Sequence, residues 1–302
     1  MKQLELFPDF GLKDEERLYV IGNGFDIHHC IDSKYWDFKK WVQKNHKDSN
    51  LIGLMDTFFS NDREFWGDVE NSLGEYDEEG VTDFCEPENP EDFKYDHPGQ
   101  WQDGLEGSIP WVFGQTMDDF RDAFDAWVRS IDISDVEPDL TLPQAAKYLT
   151  FNYTETLEET YRIPKENVLH IHGSRIIPGD EFVIGHGNIR DVDAPFRDEG
   201  VLLPYQNAYS EVIRIMNEWA KAYESIIEKN EVFFQSLKTT KAVCIMGLSY
   251  NDIDMPYLKK IASSVSADCK WWLYYFTKDD FEKAKSSVDG LGINDYCLRP
   301  FE

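Results

Sequence analysis

Residues 18–26 read Leu18-Tyr19-Val20-Ile21-Gly22-Asn23-Gly24-Phe25-Asp26, an apolar run of strand length that stops at two glycines. A strand that is apolar on both faces belongs inside a parallel sheet. Behind the turn, Tyr35, Phe38, Trp41 and Val42 recur at helical spacing, which predicts a helix packed on that sheet. In nucleotide-binding α/β domains such a turn receives a phosphate, because glycines let the backbone approach a pyrophosphate and the helix start offers free N–H groups. The third glycine of the full dinucleotide fingerprint is missing, since the turn reads Gly-x-Gly-x-Asp, so an ordinary strand-to-helix turn stays open as a reading.

Three later segments repeat the theme. Leu149-Thr150-Phe151-Asn152-Tyr153-Thr154, Val168-Leu169-His170-Ile171-His172-Gly173-Ser174 and Ala242 to Asp254 each run from an apolar stretch into polar residues or glycine. Ligands of open α/β sheets sit outside the carboxyl ends of the strands. Asn152 and His172 are therefore expected to converge on the Gly22–Asp26 turn, with Thr150, Gly173, Gly247, Ser249 and Asp254 nearby. Trp271 to Thr277 is a further buried strand. The fold class expected is α/β, a Rossmann-type parallel sheet in a single domain over residues 1–302, with a helical, acidic insertion at 50–145.

The insertion is where the charge lies. The chain has a formal net charge of −28, and residues 61–140 hold 24 acidic residues against 4 Lys or Arg. Phosphate-backbone affinity comes from Lys and Arg replacing counterions, so direct nucleic-acid binding is not expected. Such a block is a solvated face, or a surface on which a basic partner protein docks. Trp66, Val69, Leu73, Trp111, Phe113, Met117, Phe120, Phe124 and Trp127 keep helical spacing and predict packed helices. Residues 75–110, rich in acid, Pro and Gly, read as a long loop or lid. Tyr205 to Leu237 reads as a second helical stretch.

The ordered set Ile21-Gly22-Asn23-Gly24-Phe25-Asp26, Trp66-x-x-x-Glu70, Phe151-Asn152-Tyr153-Thr154-x-Thr156-Leu157-Glu158, His170-x-His172-Gly173 and Gly247-x-Ser249-x-x-Asp252-x-Asp254 resembles the bacterial AbiH family of phage abortive-infection proteins. The glycine turn, Thr150-x-Asn152-Tyr153 and His172-Gly173 also resemble elements of the sirtuin-like Rossmann fold. That resemblance implies an NAD-consuming effector in which Asn152 and His172 are the catalytic pair, with Asp26 beside them. Gly22, Asn23, Gly24, Phe25, Thr150, Gly173, Gly247, Ser249 and Asp254 would contact the NAD. Two departures stand out. Phe25 and Asp26 follow the second glycine where sirtuins have small residues, and Thr154 stands where sirtuin-like effectors commonly have Asp. Asp26, Glu155 and Glu158 are the candidates to replace that acid. No Cys-x-x-Cys pair is present for the zinc many deacylating sirtuins carry, so the resemblance does not extend to deacylation.

Cleavage of the nicotinamide–ribose bond passes through an oxocarbenium-like transition state. Asn152, which cannot act as a base, would orient a water or a ribose hydroxyl, and His172 would be the general base or a hydroxyl partner. Each residue also has a plainer use: Asn152 and Asp26 both suit helix caps. His170 and His172 alternate along a strand and face opposite ways, so one of them is structural. His186 lies between glycines and is open to facing the crevice. Two further functions stay open beside the NAD hydrolase, a non-catalytic nucleotide sensor in a defence complex and a nuclease toxin. An activating or restraining partner and an oligomer are compatible with each. The five cysteines, Cys30, Cys85, Cys244, Cys269 and Cys297, lack disulfide or zinc spacing, and no run reaches the length of a membrane span, which predicts a cytoplasmic protein with free thiols.

Overall fold

The computed structural model describes residues 11–59, 65–88, 93–198 and 200–301. It divides into two units. The first comprises the described residues up to Lys34, Val128–Val183 and those from Ala222 on. The second comprises Tyr35–Trp127 and Ile184–Lys221.

The first unit is a six-stranded parallel sheet: β1 (Arg17–Ile21), β2 (Lys147–Thr150), β3 (Val168–His170), β4 (Ala242–Met246), β5 (Lys270–Tyr275) and β6 (Tyr296–Pro300). Their spatial order is β3-β2-β1-β4-β5-β6, and every neighbouring pair is parallel. This is the Rossmann order, in which the direction of winding reverses between the two central strands, here β1 and β4. Both are shielded on both faces, which accounts for their unbroken apolar sequences. One face packs Leu18, Val20, Leu149, Val243, Ile245 and Leu273 with Phe234, Tyr257 and Ile261. The other packs Tyr19, Ile21, Tyr148, Cys244, Met246 and Trp272 with Phe25 and Leu157. The register sets Ile21 opposite both Thr150 and Met246, and Thr150 opposite His170. The residues just beyond these four therefore emerge side by side at the carboxyl edge.

The second unit is helical and larger in sequence than the expected 50–145 insertion. It begins at Tyr35 and includes a second passage of chain, Ile184–Lys221. Phe38, expected on the sheet, packs here instead, its ring centroid 6.0 Å from Trp66, 5.3 Å from Phe120, 5.5 Å from Phe124 and 5.2 Å from Trp127. An apolar stripe shows that a helix has a buried face, but not which partner covers it. The acidic stretch read as a loop forms helices at Glu78–Cys85 and Pro98–Ser108. Asp77 caps the first by accepting from Glu79 N–H at 3.2 Å, so acids and prolines here start helices rather than prevent them. Trp111, expected in the core, is 79 % exposed; it sits in a π-helical turn, Ile109–Gly114, whose wider winding breaks the stripe. The stretch Tyr205 to Leu237 is also interrupted: Leu203–Asn217 belongs to the helical unit, and Tyr223–Lys229 and Glu231–Gln235 to the sheet unit.

Buried charge in the helical unit is paired. Lys221 Nζ, with no exposed side-chain surface, lies 2.7 Å from Glu70 Oε1. Lys39 meets Asp56 at 3.2 Å, and Trp66 Nε1 donates to the same carboxylate at 2.6 Å. Among the described residues no helix is long and apolar enough to cross a membrane.

Candidate functional site

The site assembles at the carboxyl edge of β1, β2 and β4. Gly22, just after β1, donates its N–H to Met246 O at 2.9 Å, Gly24 N–H donates to Gly247 O at 2.8 Å, and Phe25 N–H donates to Gly22 O at 3.0 Å. The free amides expected for a diphosphate at Gly22, Gly24 and Phe25 are thus already bonded within the protein. The glycines have another reason. A Cβ on Gly22 would lie 2.5 Å from Gly247 O, and one on Gly247, whose φ is +68°, would lie 2.3 Å from Phe25 N. The two turns press backbone against backbone, and only glycine allows it. Phe25 is 1 % exposed, with its ring 4.5 Å from His29 and 5.7 Å from Tyr161; its side chain is core rather than a cofactor contact. Asn23 is exposed and holds the following loop, donating to Ser33 O at 2.9 Å and accepting from Ser33 Oγ at 2.7 Å.

Asp26 lies inside the helix Asn23–His28, whose N-cap is Gly22, so the capping role is excluded. It is 1 % exposed. Its Oδ2 accepts from Thr154 Oγ1 at 2.5 Å and its Oδ1 from Thr156 Oγ1 at 3.0 Å. Burial pushes its carboxyl above the ordinary range, against the pull of the two threonine hydroxyls and the nearby Asn152 side chain. The other acids proposed for this place are spoken for. Glu155, fully buried, binds Arg175 Nε at 2.7 Å, Ser174 Oγ at 3.1 Å and Ile176 N–H at 3.2 Å. Glu158 lies 3.0 Å from His170 Nε2. Thr154 thus meets an acid that arrives from the helix after β1.

Asn152 is 5 % exposed. Its N–H donates to Thr150 Oγ1 at 3.1 Å, and its carbonyl accepts from His170 Nδ1 at 2.9 Å. Its side-chain Oδ1 is buried and receives no hydrogen bond from the described residues. The expected helix cap does not form, because the next helical turn starts after Glu155. Thr150, 1 % exposed, contributes through that bond to Asn152 and is buried beneath it. His170 is the structural histidine, with both ring nitrogens engaged. Burial acts to lower its pKa, but Glu158 outweighs this and raises it.

His172, one strand over, is 3 % exposed. Its ring stands edge-on to Phe151 at 5.2 Å and to Tyr257 at 5.4 Å. Gly173 has φ +93°, and a Cβ there would meet Glu181 O at 2.8 Å, so this glycine lets the next loop close over the strand end. Ser249 is exposed, and its Oγ lies 3.4 Å from Asp254 Oδ2. Asp254 is the N-cap position of helix Met255–Ser264. Asp26 is bonded to Thr154 and Thr156, and Thr150 to Asn152, at the neighbouring strand ends. Gly247 touches the glycine turn, whereas Ser249 and Asp254 form a local pair of their own.

His186 belongs to the helical unit. It is 1 % exposed, with Nε2 2.9 Å from Met216 O and Nδ1 accepting from Asn188 N–H at 3.1 Å. Burial lowers its pKa.

A sequence profile described as bacteriophage abortive infection AbiH matches residues 18–275. The chain belongs to the AbiH family. No curated protein and no solved structure matches it significantly. The matched span starts at the second residue of β1 and ends with β5, so the glycine turns, Asp26, Asn152 and His172 all lie within the AbiH region. Membership implies a role in phage abortive infection.

Sequence reasoning missed three residues of this AbiH site. Thr156 carries half of the grip on Asp26; the Thr-x-Thr spacing was visible, but nothing in it named the acid it would meet. Tyr257 walls His172 from a helix about 85 positions away. Phe276, 46 % exposed, follows β5 and would lie 3.1 Å from a Cβ on Gly24. It read only as part of a buried strand.

Proposed function

We propose that this AbiH protein is an abortive-infection effector that binds NAD at the carboxyl edge of its sheet and, when activated, hydrolyses the nicotinamide–ribose bond. The observation that carries this reading is Asn152. Its main-chain N–H and carbonyl are both bonded, while its side-chain Oδ1 is buried without a donor among the described residues, at the strand edge where α/β folds bind nucleotides. The sirtuin-like resemblance of Thr150-x-Asn152-Tyr153 and His172-Gly173 supports the same ligand.

In this reaction nicotinamide leaves as a neutral molecule with the C–N electron pair, and positive charge develops on the ribose. Asn152 Oδ1 accepts a hydrogen bond from a ribose hydroxyl or the incoming water and fixes its position at C1′. The water oxygen forms the new C1′–O bond, and its proton passes to His172. Phe276 offers a half-exposed ring on which a base can stack. The amides of Gly22, Gly24 and Phe25 have no part in holding the diphosphate.

The enclosure of His172 by Phe151 and Tyr257 favours a second reading, in which the same site binds a nucleotide without turning it over and relays the signal to a partner through the acidic surface. Incubation with NAD, with nicotinamide release and the melting temperature measured together, separates the two. Release by wild type that is lost in Asn152→Ala and His172→Ala supports the hydrolase. Stabilisation without release supports the sensor. Absence of both effects overturns the nucleotide reading.

A further inference from the structure

The far end of the helix Asn23–His28 is held by a second polar group. The buried side chain of His29 lies between three partners: Nδ1 is 2.7 Å from Phe25 O, and Nε2 is 2.5 Å from the Tyr161 hydroxyl and 3.1 Å from Asp139 Oδ1. The Tyr161 hydroxyl lies 3.1 Å from the same Oδ1, and His28 Nε2 lies 2.8 Å from Asp139 Oδ2. A carbonyl only accepts, so Nδ1 carries a proton whether or not the ring is charged. Burial acts to raise the pKa of Asp139, but His29, His28 and Tyr161 outweigh this and hold its carboxyl below the ordinary range, which leaves it an acceptor. Burial pushes the Tyr161 hydroxyl well above its usual range, so that group keeps its proton. With Nε2 protonated, the ring and Tyr161 both donate towards Asp139 and every contact contains a proton. With Nε2 bare, the single Tyr161 proton serves either the ring or the carboxylate, and Oδ1 faces a nitrogen lone pair at 3.1 Å.

We propose that His29, Tyr161 and Asp139 form a proton-operated switch: charged His29 pins Asp139 and the irregular chain 131–146 that carries it, whereas neutral His29 takes the Tyr161 hydroxyl for itself and loosens that chain. Imidazole is the side chain whose charge changes near neutrality, and Asp139, with 49 % of its side chain exposed, brings the group to solvent. Both ends of the switch reach the candidate site. His29 N–H donates to Phe25 O at 3.3 Å, beside Asp26, and Tyr161 N–H donates at 3.4 Å to the carbonyl of Thr156, whose hydroxyl binds Asp26. A charge on His29 also acts on the Asp26 carboxyl. The switch does not depend on which ligand the site binds.

Nuclear magnetic resonance of the ring nitrogens, with the His29 signals identified by their loss in His29→Gln, reads the switch directly. As pH rises, Nε2 loses its proton and Nδ1 keeps its own. Asp139→Asn lowers the midpoint of that change by about one pH unit, because the imidazolium loses its carboxylate, and Tyr161→Phe raises it, because the neutral ring loses its donor. In wild type, amide exchange across 131–146, corrected for its intrinsic pH dependence, is at least about tenfold faster above the midpoint than below it. That contrast vanishes in Asp139→Asn. Proton loss from Nδ1, midpoint shifts of the same sign in the two variants, or equal protection of 131–146 at all pH values in wild type each overturn the proposal. The exchange measurement on wild type needs no variant, so it decides the matter even where a variant fails to fold.

Discussion

Thr156 Oγ1 donates to Asp26 Oδ1 at 3.0 Å across 130 residues of chain, tying the helix after the first strand to the loop after the second. With Thr154 on the other oxygen, it holds an acid in the interior that has no cation directly bonded to it among the described residues. A buried carboxylate in such a place is costly unless its lone pairs are filled. Replacing Asp26 by Ala strands the Thr154 and Thr156 hydroxyls, and the unfolding free energy should fall by roughly 2–4 kcal/mol in urea titration.

The same burial sets a pH dependence. The folded pKa of Asp26 lies above the ordinary value of 3.8, so the native state holds its proton more tightly than the unfolded chain does. Its contribution is full below the unfolded pKa and is lost as pH rises through the folded one. Wild type should therefore lose stability relative to Asp26→Asn as pH climbs from about 4. A difference that is flat with pH, followed by chemical unfolding at several pH values, would refute the assignment.

His170 gives a second titration of separate origin. A carbonyl accepts only, so Nδ1 must donate to Asn152 O, and Nε2 donates to Glu158; the ring with both nitrogens donating is the imidazolium. Its folded pKa is raised from 6.5, so the stability it adds is complete below 6.5 and disappears as pH rises through the folded value. Glu158→Ala should cost about 3 kcal/mol at pH 6, and the deficit relative to wild type should narrow in alkali.

Glycine substitutions should separate conformational strain from collision. Gly292 has φ +69° with nothing within 4 Å of the position a Cβ would take, whereas Gly247 has φ +68° and a Cβ would lie 2.3 Å from Phe25 N. Gly292→Ala should cost about 1 kcal/mol, and Gly247→Ala more than about 3 kcal/mol, read as melting temperatures in one buffer.

In the helical unit, Lys221→Met leaves Glu70 buried without its cation and should destabilise by roughly 3 kcal/mol. Adding Glu70→Leu should recover most of that, because the surviving pair is then apolar. A double variant no more stable than the single one would mean that the two sites are not coupled.

Much of this protein was legible in its sequence. Apolar runs closed by glycine or polar residues placed five of the six strands, most plainly the inner ones, whose two covered faces call for apolar side chains. The last strand, Tyr296–Pro300, lies at the sheet edge with its side chains partly exposed and carries no such signal. The motifs that mark the AbiH family also stand in the sequence, since they are strings of neighbours. Only the tertiary structure decided what those residues touch. Gly22 and Gly24 looked like a cradle for phosphate and are spacers against Gly247. Phe38 looked like a cover for the sheet and belongs to a separate aromatic core. Asp26 meets Thr154 and Thr156 because β1 and β2 are parallel neighbours in one register, a contact that no spacing along the chain records. Periodicity reports which side of an element is buried; hydrogen-bond partners 130 residues apart depend on how the strands are ordered.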